Sequence, residues 1–287
     1  MLKSGKMMTK KLHNEIAQKE FFDDWVQKKD EDLKRLRAMP HSRFFELYYS
    51  PLKDSVVQLA NKESVRLMLE LGCGDGDYTL SAAETFKISI IGMDISKISV
   101  RWAKRKAMLR NLSGKAEFVV GDTKYLPFRS GAFDSVMIFG LVHHLSGFDV
   151  LQEVSKVMRK EGFLLVFEMV SNNPVIPIGA RFLSLSPKSL RIRILDVGHS
   201  GEIPTTFSFR VDTLRNYIET RGFKIIKEER EQLFIFLIWY LFMLIPQVHR
   251  LVPVRILFAL SKIEKYLLEN TPMRELCRSF MSLSIRQ

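Results

Sequence analysis

The stretch VRLMLELGCGDGDY, residues 65–78, decides the fold. An apolar, strand-like run ends in Gly72-Cys73-Gly74-Asp75-Gly76, and a helical segment follows. Glycines at such a junction let the backbone take positive φ and let a ligand approach where a Cβ would collide. Loops at the carboxyl ends of strands are where open α/β sheets bind ligands. A dinucleotide fingerprint requires G-x-G-x-x-G, but from Gly72 the third small residue would fall on Asp77. A P-loop requires a lysine after its last glycine, and none follows here. Glu70, Asp75 and Asp77 surround the loop with acids, which repel phosphate and predict a cationic ligand instead.

Outward from this loop, short apolar runs alternate with helical segments. The runs cover residues 65–71, 88–93, 116–120, 133–140 and 163–168, and their continuous apolarity predicts strands buried on both faces of a parallel sheet. The alternation predicts a doubly wound α/β core. Residues 212–221 read as a further helix stopped by Gly222, and residues 223–227 as another strand. Residues 280–287 alternate in period two and predict a final edge strand. The first 60 residues read as helices punctuated by Pro40 and Pro51. The chain thus divides into an N-terminal helical cap (1–62) and an α/β domain (63–287), with inserts at about 170–211 and 232–277.

Several later motifs follow the glycine loop in order. Glu70-Leu71-Gly72-Cys73-Gly74-Asp75-Gly76 resembles the E/D-x-G-x-G-x-G motif of class I methyltransferases that use S-adenosylmethionine. Asp94, in IIGMDIS, resembles the acid that holds the two ribose hydroxyls. Gly121-Asp122-Thr123 resembles the third motif, whose Asp meets the adenine amino group. FDSVMIFGLVHHL, residues 133–145, resembles the fourth strand and its loop. Arg159-Lys160-Glu161-Gly162-Phe163 resembles the R-x-P-G-G turn, with Glu and Phe in place of Pro and the last Gly. The resemblance implies a seven-stranded, mostly parallel Rossmann-like sheet with an antiparallel last strand and a hydrophobic helical insert before it. It assigns cofactor contacts to Glu70, Gly72, Cys73, Gly74, Gly76 and Tyr78 around the loop. It assigns further contacts to Asp94, Ile95, Asp122, Thr123 and Gly140 along the next strand ends. No metal is implied, since no His/Cys/Asp cluster has ligand spacing.

The reaction implied is SN2 methyl transfer from a sulfonium to a nucleophile, which needs in-line positioning and exclusion of water. A high-pKa oxygen nucleophile also needs a general base. His143 and His144 follow the fourth strand, and His144 is the preferred base or orienter. Glu168, at the end of the fifth strand, is the next candidate, and both groups have packing roles as alternatives. His199 and the pair Tyr48-Tyr49 are further positions from which a lid or cap could reach the site.

The acceptor reads as a small, lipophilic or lipid-linked molecule, with oxygen the favoured atom and carbon or nitrogen open. The run LFIFLIWYLFMLIP at residues 233–246 is shorter than the ~20 residues a spanning helix needs. It could line a lipid pocket, contact a membrane surface together with Arg250, Arg255, Lys262 and Lys265 (residues 233–265), form a homodimer seam, or cover the sheet. The 44 Lys+Arg against 32 Asp+Glu leave a formal charge of +12, which favours an anionic neighbour. Lys97, Arg101 and Arg105 form a basic helical stripe, so an RNA acceptor is the alternative reading. No RNA-binding module is visible, and a nucleic-acid partner is not expected. A non-catalytic cofactor-binding protein is the other alternative. Two cysteines, Cys73 and Cys277, and a lysine-rich start without an apolar run predict a cytoplasmic protein, with peripheral contact at the inner face of a membrane as a variant of that reading.

Overall fold

The computed structural model describes residues 65–85, 88–145, 150–170, 210–231, 253–273, 277 and 279–287. The N-terminal cap, Tyr48-Tyr49, His199, the greasy run at 233–246 and nearly all of the first insert lie outside the described residues. In chain order the elements are β1 (Leu67–Leu71), α1 (Asp77–Thr85), β2 (Ser89–Asp94), α2 (Lys97–Leu109), β3 (Ala116–Val120) and β4 (Phe133–Phe139). They continue with a short 3-10 turn (Val142–His144), α3 (Val150–Val157), β5 (Met158–Met169), α4 (Val211–Glu219), β6 (Phe223–Glu231), α5 (Val254–Asn270) and β7 (Ser279–Arg286).

The seven strands form one sheet in the order β3-β2-β1-β4-β5-β7-β6. β1 pairs in parallel with β2 and β4, β3 with β2, and β5 with β4. β7 runs antiparallel to both β5 and β6. The chain winds outward from β1 through β2 to β3 and then returns to β4 on the other side of β1, so the carboxyl ends of β1 and β4 flank a switch point.

Each face of the sheet carries its own core. Met68, Leu80, Ile90, Val100, Ala103 and Phe118 belong to one face. Leu69, Leu71, Val136, Val154, Leu164 and Leu214 belong to the other. α2 buries Ser99, Val100, Ala103 and Ala107, one stripe at helical spacing, and is capped by Ser96, whose side chain accepts from the Ser99 N–H at 3.0 Å. Burial of a side chain the size of Phe118, 2% exposed, contributes ~2–3 kcal/mol.

Two expectations are corrected here. β7 is a strand, but it is interior, because β6 lies outside it. Its period-two pattern reads as one-sided exposure, yet Ser282 and Ser284 are as buried as Met281 and Leu283. Serine is small enough to sit inside a sheet, so hydrophobic alternation alone misplaces this strand. The fifth strand also begins earlier than residue 163, since α3 passes directly into β5 at Met158. Within it Glu161 takes φ 59°, the left-handed region, in the turn where the family pattern differs. At the amino end of the sheet, Asp134 accepts from the Arg66 and Leu67 N–H groups at 2.8 and 2.9 Å and meets Arg159 at 3.1 Å. That carboxylate ties β4 to the start of β1, at the end of the sheet away from the loops discussed next.

Candidate active site

The glycine loop joins β1 to α1 with positive φ at Gly72 (70°), Gly74 (53°) and Gly76 (80°). The three glycines have different surroundings. Among the described residues, a Cβ on Gly74 would meet nothing within 4 Å, which leaves room there for a ligand. A Cβ on Gly76 would lie 2.7 Å from the Phe118 ring and 2.8 Å from Ala103. Gly76 therefore permits helix and strand to close on each other, and ligand approach is not its reason. A Cβ on Gly72 would lie 3.0 Å from Leu141, the residue that follows Gly140 after β4.

Asp94 stands at the end of β2, beside the loop. Its Oδ2 accepts from the Gly74 N–H and its Oδ1 from the Ser96 N–H, both at 2.8 Å. A carboxylate offers about four acceptor positions, which suits it to accept from more than one donor at once. Ile95 and Val120, 41% and 46% exposed, present apolar surface at the ends of β2 and β3. Asp122 follows β3, and its Oδ1 accepts from the Lys124 N–H at 2.9 Å. Thr123 beside it is buried. A diol-binding carboxylate, an apolar flank, a second acid and an open glycine fit a nucleoside cofactor, and Asp94, Ile95, Asp122 and Gly74 are the residues that would hold it.

The loop is less acidic than its sequence implies. Lys106 of α2 places its Nζ 2.7 Å from both Asp75 Oδ2 and Asp77 Oδ1. Glu70 is 1% exposed and accepts a hydrogen bond from the Thr79 hydroxyl. Burial pushes the Glu70 carboxyl up to about 8; the Thr79 bond opposes this, and the Asp94 charge adds to it. Lys106 thus offsets one of the two charges on Asp75 and Asp77, and burial favours the protonated form of Glu70, so the loop carries less negative charge than three ionised acids would. Lys106 is also turned into the site and out of the basic helical stripe, whose Lys97, Arg101 and Arg105 are exposed. Burial likewise drives the Cys73 thiol well above its usual range, so it is not a nucleophile.

On the rim between β4 and β5, Glu168 is fully buried. It accepts from the Val142 N–H at 2.5 Å and meets His143 Nδ1 at 2.6 Å. His143 is 3% exposed, whereas His144 is half-buried with its ring centroid 4.0 Å from that of His143. Glu168 and His143, separate candidates in the sequence, are one buried unit. It anchors the 3-10 turn and, through it, Leu141 over Gly72. Gly140, at φ 55°, makes the bend that starts this turn. Tyr78 packs on Phe139 at 4.3 Å, and Phe139 stacks on Phe167 at 4.7 Å, an aromatic row along the carboxyl ends of β4 and β5. Sequence reasoning missed Lys106, Leu141, Phe139 and Phe167. Lys106 lies 31 residues from Asp75 and carries no local signal, while the two phenylalanines read only as strand core. Among the described residues, no group of three or more His, Cys, Asp or Glu is arranged to hold a metal.

This fold and site define a nucleoside-cofactor-binding protein of the doubly wound class. Residues 68–162 match the methyltransferase domain family. The demethylmenaquinone methyltransferase of Lactobacillus johnsonii is 30% identical over 163 residues, which cover 54% of this chain and 67% of that protein. The O-methyltransferase cnsE of Penicillium expansum is 27% identical over 162 residues, 55% of this chain and 52% of that protein. The chain belongs to the class I S-adenosylmethionine-dependent methyltransferases. It spans about half the length of most of the curated relatives it matches. Among solved structures, the [4+2]-cyclase SpnF superposes with TM-score 0.57 at 19% identity, over 82% of this chain and 80% of that one. A geranyl diphosphate methyltransferase in complex with geranyl diphosphate and sinefungin superposes with TM-score 0.55 at 14% identity, over 82% and 78%.

Proposed function

We propose that the chain transfers a methyl group from S-adenosylmethionine to a small, lipophilic or lipid-linked acceptor, with oxygen the favoured nucleophile. The observation that carries the cofactor half is Asp94: its carboxylate joins the glycine loop to the end of β2, accepting from the Gly74 and Ser96 N–H groups beside the bend where the family motif binds its cofactor. The relatives support the acceptor half, since they include enzymes named for demethylmenaquinone and for sterol. The half-buried rings of Tyr78 and Phe139, packed on the buried Phe167, support it too, as apolar surface at this rim.

When bound, the cofactor supplies an electrophilic methyl on a sulfonium. The chain's own groups hold and orient. Asp94 takes the diol, Ile95 and Val120 flank the base, and Leu141 on its anchored turn closes one side of the loop. His144, less buried than His143, is the group on this turn suited to face the acceptor and take its proton. Glu168 and His143 position that turn. Both cysteines are buried, and a cytoplasmic location belongs to the same reading.

The test is methyl transfer from radiolabelled S-adenosylmethionine into a fractionated extract. Label in the organic phase, lost in Asp94→Ala, is the expected result. Label confined to RNA would overturn the acceptor class. Tight cofactor binding without transfer to any fraction would overturn the activity, since one fold carries many functions.

A further inference from the structure

The outer face of α5 combines features that neither the sheet nor the cofactor site uses. The helix packs against β6 and buries Leu257, Glu264 and Leu268, which recur at i, i+7 and i+11 along one side. On the far side, Ile256, Ile263 and Tyr266 are 45%, 53% and 65% exposed. Their i, i+7, i+10 spacing puts them on one stripe, and exposed Ala259 lies between them. A second apolar stripe, separate from the one facing the sheet, is not needed to hold this helix in place. Arg255, Lys262 and Lys265 border it and are all exposed. Glu269 is the acid on that arc, 3.9 Å from Lys265.

We propose that this face of α5 is a peripheral docking surface for an anionic lipid bilayer, with Ile256, Ile263 and Tyr266 entering the interface and Arg255, Lys262 and Lys265 meeting the head groups. Charge decides between a bilayer and a second copy of the chain. A twofold contact through this stripe would bring the same three cations against themselves, on a chain that already carries +12. An anionic surface instead complements the border and accepts the apolar stripe. Neither signal is large alone, so binding is reversible and needs both. No helix among the described residues is long and apolar enough to cross a membrane, and this contact requires none. The surface deepens the proposed function by bringing the protein to where a lipophilic acceptor resides. Vesicle binding is read without methyl transfer, so failure of one reading is distinguishable from failure of the other.

The experiment is flotation of the full chain with vesicles of phosphatidylcholine alone or mixed equally with phosphatidylglycerol. Binding to the mixed vesicles, absent with phosphatidylcholine and lost at high salt, is expected. The double variant Arg255→Glu/Lys262→Glu should weaken it by at least ~20-fold, at ~5-fold for each basic residue near the surface. Ile263→Asp/Tyr266→Ser should weaken it comparably with the charges intact. All four side chains are solvent-facing, and an unchanged urea midpoint verifies the fold of each variant. Three results would overturn the assignment: no flotation of the wild type, flotation that both variants retain, or a concentration-dependent dimer abolished by Ile263→Asp.

Discussion

Glu168 is the side chain whose removal separates a positioning role from a proton-relay role. Replacing it with alanine leaves the Val142 N–H and His143 Nδ1 without their shared acceptor, in a place where Glu168 is 0% and His143 3% exposed. Each buried group left unpaired costs ~1–3 kcal/mol, and the vacated volume adds to this, so the loss should total ~3–5 kcal/mol. Glu168→Gln is gentler. Its amide oxygen still accepts from Val142, and its NH2 meets Nδ1 once His143 takes the other tautomer. Losing the charge assistance costs ~1–2 kcal/mol. Urea unfolding measures both changes. Since the turn holds Leu141 over Gly72, the glutamine variant should also bind S-adenosylmethionine about fivefold more weakly, the equivalent of ~1 kcal/mol. Its pH–rate profile should keep its shape. An alanine variant as stable as the wild type would refute the clamp. Unchanged cofactor affinity with a shifted acid limb in Glu168→Gln would instead show a relay through His143.

Three further perturbations test the loop. Because the Glu70 carboxyl is raised to about 8, the folded protein holds its proton where the unfolded chain has lost it. Stability should therefore fall by a few kcal/mol as pH rises from about 4.5 to about 8 and level off above, and Glu70→Gln should remove that slope in urea titrations across pH. Gly76→Ala forces a Cβ onto Phe118 and Ala103 at positive φ and should cost ~2–5 kcal/mol, whereas Gly74→Ala should cost only the ~1–2 kcal/mol of its conformation yet weaken cofactor binding. Calorimetric melting and cofactor titration of the pair read the two effects apart. Lys106→Met leaves Asp75, whose side chain is 9% exposed, facing Asp77 without a cation. It should destabilise by ~1–3 kcal/mol, less than a fully buried broken pair, and most strongly at low salt in parallel urea series.

The legible parts of this protein are those in which one local pattern has one physical solution. The five continuous apolar runs could only be strands covered on both faces, and β1 to β5 follow from them. Asp94 is singled out only through a resemblance, since IIGMDIS ends its strand as the family's acid-bearing motif does. What escaped reading depends on side chains that meet across long sequence separations. Lys106 bridges Asp75 and Asp77 from the far end of a helix whose other cations face solvent. Glu168 selects His143 over His144 because the 3-10 turn presents the first ring to β5, and adjacent residues in such a turn point apart. β7 misled because burial of Ser282 and Ser284 leaves no polar signature different from exposure.

The partly offset loop also predicts how binding should respond to salt. Lys106 cancels one of the two charges on Asp75 and Asp77, burial favours the protonated form of Glu70, and two backbone N–H groups hold Asp94 by short hydrogen bonds. Cofactor recognition then rests on short hydrogen bonds and fixed dipoles, which ions in solution screen little. Affinity for S-adenosylmethionine should change less than about twofold between low and high salt, where the Debye length shrinks from ~30 to ~3 Å. The α5 surface should behave in the opposite way, because its cations are exposed and its partner is a charged plane. Cofactor titration and vesicle flotation in one salt series on one preparation measure both. A cofactor affinity that collapsed along with flotation would mean that Asp75 and Asp77 attract the ligand through unpaired charge, and that the Lys106 bridge does not persist in solution.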